Sequence, residues 1–356
     1  MNILTTILLV IIGVLMFGFV VFFHELGHFI TARLCKVRVN EFAVGMGPKI
    51  FSRKKGETRY SLRLFPIGGY CAMEGEDEES SDEHAFNRRP VWQRMIVIVA
   101  GGFMNILLGF IILLIMTSMQ DRFATTTIAE VTESSTIAAA GIVEGDKITR
   151  IDDYAVYSDR DLLFALALAD PEQVDFEISR NGEKITYRDI NIAGEEDTDG
   201  NKTFLLDFKV YSQEKTFLST VKRSGVETLS MVRMVVESLK GLLSGRFGLN
   251  EMAGPVGTAQ VITQAASEGL KTGFGDAVGN IMTIIVLITV NLGVVNLLPV
   301  PALDGGRFLF LLVELIFRKP IPVKYEGWVH TAGFVLIIGL MLVVTFNDIL
   351  RIVTGA

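Results

Sequence analysis

Charge is missing from the start of the chain: Met1 to Phe23 contains no Asp, Glu, Lys, Arg or His. A run of about 20 such residues is long enough to span the hydrocarbon of a bilayer. The run also lacks a basic n-region and a small-x-small cleavage site, so it reads as an uncleaved anchor and not as a secretory signal. Cysteine is scarce, with Cys35 and Cys71 the two in 356 residues. Both fall in a segment assigned below to the cytosol, where disulfides do not persist, and they read as ordinary thiols. A basic excess is absent as well. The formal net charge is -7, which gives no support to a nucleic-acid partner, since that would need a basic face. What the sequence does have is apolar residues, 50% of the total. That share fits a polytopic membrane protein carrying a soluble insert.

Four apolar spans stand out: Ile3 to Ile30, Met95 to Met119, Ala277 to about Phe317, and Val329 to Phe346. Arg33 to Arg94 carries twelve Lys or Arg, whereas none precedes the first span. The positive-inside rule then puts that segment in the cytosol, with both termini and the long segment after Gln120 outside. Within the cytosolic part, Gly45-Met46-Gly47-Pro48 reads as a turn. Thr58 to Leu64 alternates, and Pro66-Ile67-Gly68-Gly69-Tyr70 follows, so a short hairpin or meander close to the membrane is expected. Glu74 to Glu83 reads as a solvated acidic loop, and Arg88, Arg89, Trp92 and Arg94 as an interfacial collar.

The stretch that organises the chain is His24-Glu25-Leu26-Gly27-His28, near the far end of the first span. On a helix, residues four apart share a face, so His24 and His28 can offer ring nitrogens to one ion. Glu25 then sits beside that ion, placed to take a proton from water and not to ligate. The bland alternative is two interfacial histidines spaced by chance. Three ionisable groups in five positions at bilayer depth cost enough to need a partner, and a bound zinc ion would offset that cost.

Ile281 to Leu315 is too long for one straight crossing, and Pro299 and Pro301 must interrupt it. Broken backbone at membrane depth is tolerated where it lines a cavity. Catalytic zinc wants three protein ligands, commonly two histidines and a carboxylate, with a position open for water. Asp304 is the first choice for the third ligand and Glu314 the second. A straight helix would leave Asp304 and His28 at different depths, so the chain is expected to unwind around the prolines. Asn105 in the second span fits an interhelical hydrogen bond, with a direct role in the site left open.

The external segment begins as a small α+β domain. Strands are expected at Thr125 to Val131, Asp146 to Ile151, Val174 to Ser179 and Lys184 to Ile190, with a short helix or turn at Ser135 to Gly141 and a helix at Ser158 to Ala169. Asn181-Gly182 is a hairpin signal. Ala140 to Ile148 resembles the Gly-Leu-x-x-Gly-Asp-x-Ile element of bacterial PDZ domains, which implies a peptide-binding groove. An inert folded plug is the competing reading. Phe217 to Leu249 is amphipathic and reads as one or two helices at the membrane surface. The chain thus divides into a membrane part at 1–119, the external domain at 120–212, surface helices at 213–275 and a second membrane part at 276–356.

His24-Glu25-x-x-His28 in the first span and Asn296-x-x-Pro299-x-Pro301-x-Leu303-Asp304-Gly305 in the third, with a PDZ-like domain between, resemble the site-2 protease family, most closely its bacterial single-PDZ branch. The fold class implied is a polytopic α-helical membrane protein with four transmembrane helices, a membrane-associated β-hairpin and an inserted extracytoplasmic PDZ-like domain, in a bacterial cell membrane. The resemblance implies a zinc-dependent intramembrane protease with His24, His28 and Asp304 as ligands and Glu25 as general base. It implies that Asn296, with the Pro299 and Pro301 motif, positions substrate or stabilises the oxyanion. The stretch around Gly45, Gly47, Gly68, Gly69 and Tyr70 is similar to the family's membrane-reentrant β-loop, which would pair with an unwound substrate helix. The implied substrates are single-span proteins already trimmed outside, of the anti-sigma-factor or remnant-signal-peptide type. The family usually carries proline where this chain has Gly102. A non-catalytic PDZ-bearing membrane adaptor is the alternative, and it has no use for Glu25; a zinc transporter would want more polar faces than the one cluster found.

Overall fold

The structure is a computed structural model describing residues 3–76, 78–132, 135–196, 202–248 and 252–354. It forms two compact units, Met1–Ile112 with Val235–Ala356, and Leu113–Met234. Among the described residues four helices are long and apolar enough to cross a membrane: those covering Ile11–Leu34, Val91–Met119, Phe274–Asn296 and Lys324–Thr354.

The first unit begins with α1 (Ile3–Leu34), which carries the His-Glu-x-x-His stretch in its last third. Strands β1 (Val39–Lys55) and β2 (Thr58–Met73) follow, and they are far longer than the short hairpin expected. Glycine accounts for the difference. Gly45, Gly47 and Gly68 hold φ between +84° and +86°, and the register shifts repeatedly along β1 and β2. These positions are bulges that bend the strands without ending them, although in sequence they look like turns. Phe42 has partners on two stretches of β2, Cys71 and Tyr60, so the pair doubles back on itself as a small sheet. Phe22, Phe29, Phe42 and Tyr60 form an aromatic seam between that sheet and α1.

After the collar, α2 (Val91–Met119) crosses α1 and α7 (Phe274–Asn296) through glycine contacts. A Cβ on Gly27 would lie 2.4 Å from the Ala100 carbonyl, and one on Gly102 would lie 2.8 Å from the Gly293 carbonyl. Backbones this close are the mark of small-residue packing between membrane helices. Between α7 and α8 (Asp304–Phe317) the chain leaves helical geometry, as the two prolines require. Arg94 on α2 pairs with Glu314 on α8 at 2.5 Å.

Helix α6 (Pro255–Thr272) falls within the stretch 213–275 where surface helices are expected. Its Ile262, Ala266 and Gly269 are buried, and the Asn280 amide of α7 donates to Ala265 O. Asp348 of α9 (Val323–Thr354) accepts the Gly257 N–H at 2.8 Å, which supplies from outside a cap that Gly254 cannot give.

The second unit is an α+β body. Its elements are β3 (Arg122–Val131), α3 (Thr136–Ala139), β4 (Lys147–Ile151), β5 (Tyr154–Ala155), α4 (Asp159–Leu168), β6 (Val174–Arg180) and β7 (Glu183–Ile190). A small pair, β8 (Ala193–Glu196) with β9 (Lys202–Phe204), precedes β10 (Phe208–Glu214). The main sheet runs β10-β3-β4-β6-β7, with β5 paired to β4. Alternating inward residues such as Ile128, Ile148, Ile151, Phe176 and Ile178 form its core with Leu162 and Leu166 of α4. Ser158, ahead of α4, forms a full capping box with Asp161. Asn181 and Gly182 both hold positive φ, as their hairpin turn demands. Helix α5 (Phe217–Leu243) covers the first of the expected amphipathic helices, and its Ser230 hydroxyl donates to buried Asp161 at 2.7 Å, docking its first part onto this unit.

Candidate active site

One turn apart on α1, buried His24 and His28 bring their Nε2 atoms to 3.2 Å. The break before α8 delivers Asp304 as that helix's first residue. Its Oδ2 lies 3.2 Å from His24 Nε2 and 3.3 Å from His28 Nε2. Three atoms in such a triangle are what zinc requires. Ligands at about 2.0 Å in tetrahedral geometry stand about 3.3 Å from each other. Asp304 Oδ2 is buried with no hydrogen-bond partner among the described residues, which leaves its lone pairs for a cation. Among the described residues these three form the one such cluster of His, Cys, Asp or Glu.

The surroundings set the tautomers. His28 Nδ1 donates to the Val97 carbonyl at 2.9 Å, so its Nε2 presents a lone pair to the triangle. His24 Nδ1 lies 3.4 Å from the amide of Asn105, which is fully buried. The Asn105 Oδ1 is a buried orphan. Turning that amide by half a turn places Oδ1 on His24 Nδ1–H and satisfies both groups. Gly101 of α2 closes the floor: a Cβ there would sit 2.2 Å from His28 Nε2.

Glu25, half-buried, opens with the three donors onto a cavity of about 680 Å³. Tyr70 to Met73 of β2 line the same cavity, and the Cys71 N–H faces the Glu25 carboxylate. A strand edge therefore lies beside Glu25. Arg307, one turn beyond Asp304, lines the cavity too and is ion-paired with Glu76.

The sequence-predicted residues divide into two groups. His24, Glu25, His28, Asp304 and Tyr70 meet at this cavity, and Asn296 brings its amide to 3.4 Å from His24 Nδ1. Gly69 backs Glu25, with 3.4 Å between its notional Cβ and Glu25 Cγ. Gly45, Gly47 and Gly68 lie further along the sheet, against Phe65 and Met46. Pro299 and Pro301 shape the loop, and it is Ala302 and Leu303 that line the cavity. The second-choice ligand, Glu314, stands on α8 paired with Arg94 and does not join the histidines. Sequence reasoning passed over His330 of α9, which lines the cavity and accepts the Ala302 N–H. The rarity of ionisable residues within membrane spans was the signal that could have flagged it.

Comparison with known proteins agrees with this chemistry. The family model for peptidase family M50 matches residues 12–340. A Clostridium perfringens protein described as a candidate zinc metalloprotease is 37% identical, with 96% of this chain and 98% of that one covered. The regulator of sigma-W protease RasP of Bacillus subtilis is 31% identical, covering 96% and 98%. The zinc metalloprotease RasP of Geobacillus kaustophilus is 31% identical, covering 94% and 96%.

Proposed function

Because the chain belongs to peptidase family M50, the site-2 proteases, and is a zinc metalloprotease of that type, we propose that it cuts transmembrane segments of single-span proteins within the membrane. The observation that carries this reading is the placement of the His24, His28 and Asp304 triangle, with Glu25 beside it, on helices apolar enough to span a bilayer. His24, His28 and Asp304 would hold the metal. Zinc bound there would supply a Lewis acid that eases loss of a proton from the attacking water near neutral pH. Glu25 accepts that proton and returns it to the leaving amide nitrogen.

A substrate helix hides its amides in internal hydrogen bonds and must unwind before it can be attacked. The Tyr70 to Met73 edge supplies replacement partners beside Glu25. The Asn296 amide, close over the His24 ring, positions the substrate carbonyl or binds its developing negative charge. The α+β unit is read as PDZ-like and extracytoplasmic, acting as an outer filter that admits substrates with shortened ectodomains. The name of the Bacillus subtilis relative, a regulator of sigma-W, supports anti-sigma-factor-like substrates. Twelve cations between Arg33 and Arg94 support a cytosolic position for the β1–β2 sheet, with both termini outside.

Mass spectrometry of products from a reconstituted single-span substrate tests the proposal. A cut inside the apolar segment is expected; a cut confined to exposed flanking sequence would contradict it.

A further inference from the structure

The carboxylate of Asp304 is delivered by a loop that α8 does not hold by itself. Leu303, at the N-cap of α8, makes no side-chain cap. Two residues before Asp304, Ala302 adopts a left-handed backbone with φ of 75°, unusual for a residue with a Cβ. Its N–H donates to His330 Nδ1 at 3.0 Å. An accepting Nδ1 places the ring hydrogen of the neutral imidazole on Nε2, so the tautomer is set. The ring packs 5.6 Å from that of Phe310 on α8. One turn along α9, Gly333 meets the same loop so closely that a Cβ would lie 2.4 Å from Pro301 Cβ. The chain thus reaches Asp304 through a kink gripped by α9 at two points.

We propose that His330 is a positioning residue: by accepting the Ala302 N–H it holds the left-handed kink that aims Asp304 at His24 and His28. The inference rests on the metal-binding reading of those three residues, and its readouts include zinc affinity measured apart from turnover.

The test uses the full-length protein in detergent with three variants: His330→Leu, His330→Asn, whose Oδ1 can replace Nδ1 as acceptor, and His330→Leu with Ala302→Gly, which relieves the φ requirement. Zinc affinity is read by chelator competition, and kcat and KM with a single-span substrate. His330→Leu should weaken zinc binding by about tenfold or more, in the range of outer-shell substitutions, and lower kcat with KM little changed. The asparagine and the added glycine should each restore most of the zinc affinity. Parent-like zinc affinity in His330→Leu would overturn the proposal. So would equal losses in all three variants, which would assign His330 to packing. Zinc affinity restored without cleavage by any form, parent included, would count against the protease reading and leave this one standing.

Discussion

At the scale of single residues, the site depends as much on what is missing as on what is present. Gly101 has no side chain because His28 Nε2 occupies the space a Cβ would take, at 2.2 Å. Gly101→Ala should therefore displace a ligand and reduce bound zinc severalfold while the helices persist, as read by metal analysis alongside circular dichroism. Asn105→Leu removes the amide that orients His24, and its expected cost is about 10- to 100-fold in zinc affinity. Sequence made part of this visible. The spacing of four between His24 and His28 carries its own geometry, and ligand chemistry singled out Asp304. Glu314 remained a rival because position along a chain does not show which carboxylate a break turns inward. His330 had no spacing relation to any ligand; its role exists only because α9 meets the loop after α7.

At the scale of elements, glycine at positive φ decided what sequence misjudged. Gly45, Gly47 and Gly68 resemble turn residues, yet they bend long strands that continue past them. In the second unit the local signals agreed with the packing, and the helix that starts after Ser158 and the Asn181-Gly182 turn formed where they were expected. That unit also carries a pH response. Burial raises the Asp146 pKa, but two hydrogen bonds from Arg180, one from the Val143 N–H and the Arg180 charge outweigh it, and the carboxyl ends below its usual value. A depressed carboxyl contributes stability above its unfolded pKa of about 3.9 and loses it as pH falls through the lower folded value. Amide exchange in β4 and β6 should therefore accelerate below about pH 4 in the parent, and Asp146→Asn should flatten that dependence. On the membrane side, Asp348→Ala removes the outside cap on α6. It should cost about 1 kcal/mol, read as a lower thermal midpoint in detergent.

At the scale of the whole molecule, the proposed filter rests on an insert whose ends meet. Arg122 and Glu214 are partners across β3 and β10, so residues 122–214 can be replaced by a short linker with little strain. A chain so shortened should cut substrates that still carry their ectodomains, which the filter reading expects the parent to refuse; continued refusal by the shortened chain would remove the filter role. The central claim concerns Glu25. The most direct measurement compares parent and Glu25→Gln, reconstituted with a tagged single-span substrate lacking its ectodomain, with zinc content determined for both. Equal zinc in the two proteins and cleavage slower by about a hundredfold or more in the variant is the result predicted. Undiminished cleavage by Glu25→Gln with zinc retained would contradict the assignment of Glu25 as the base.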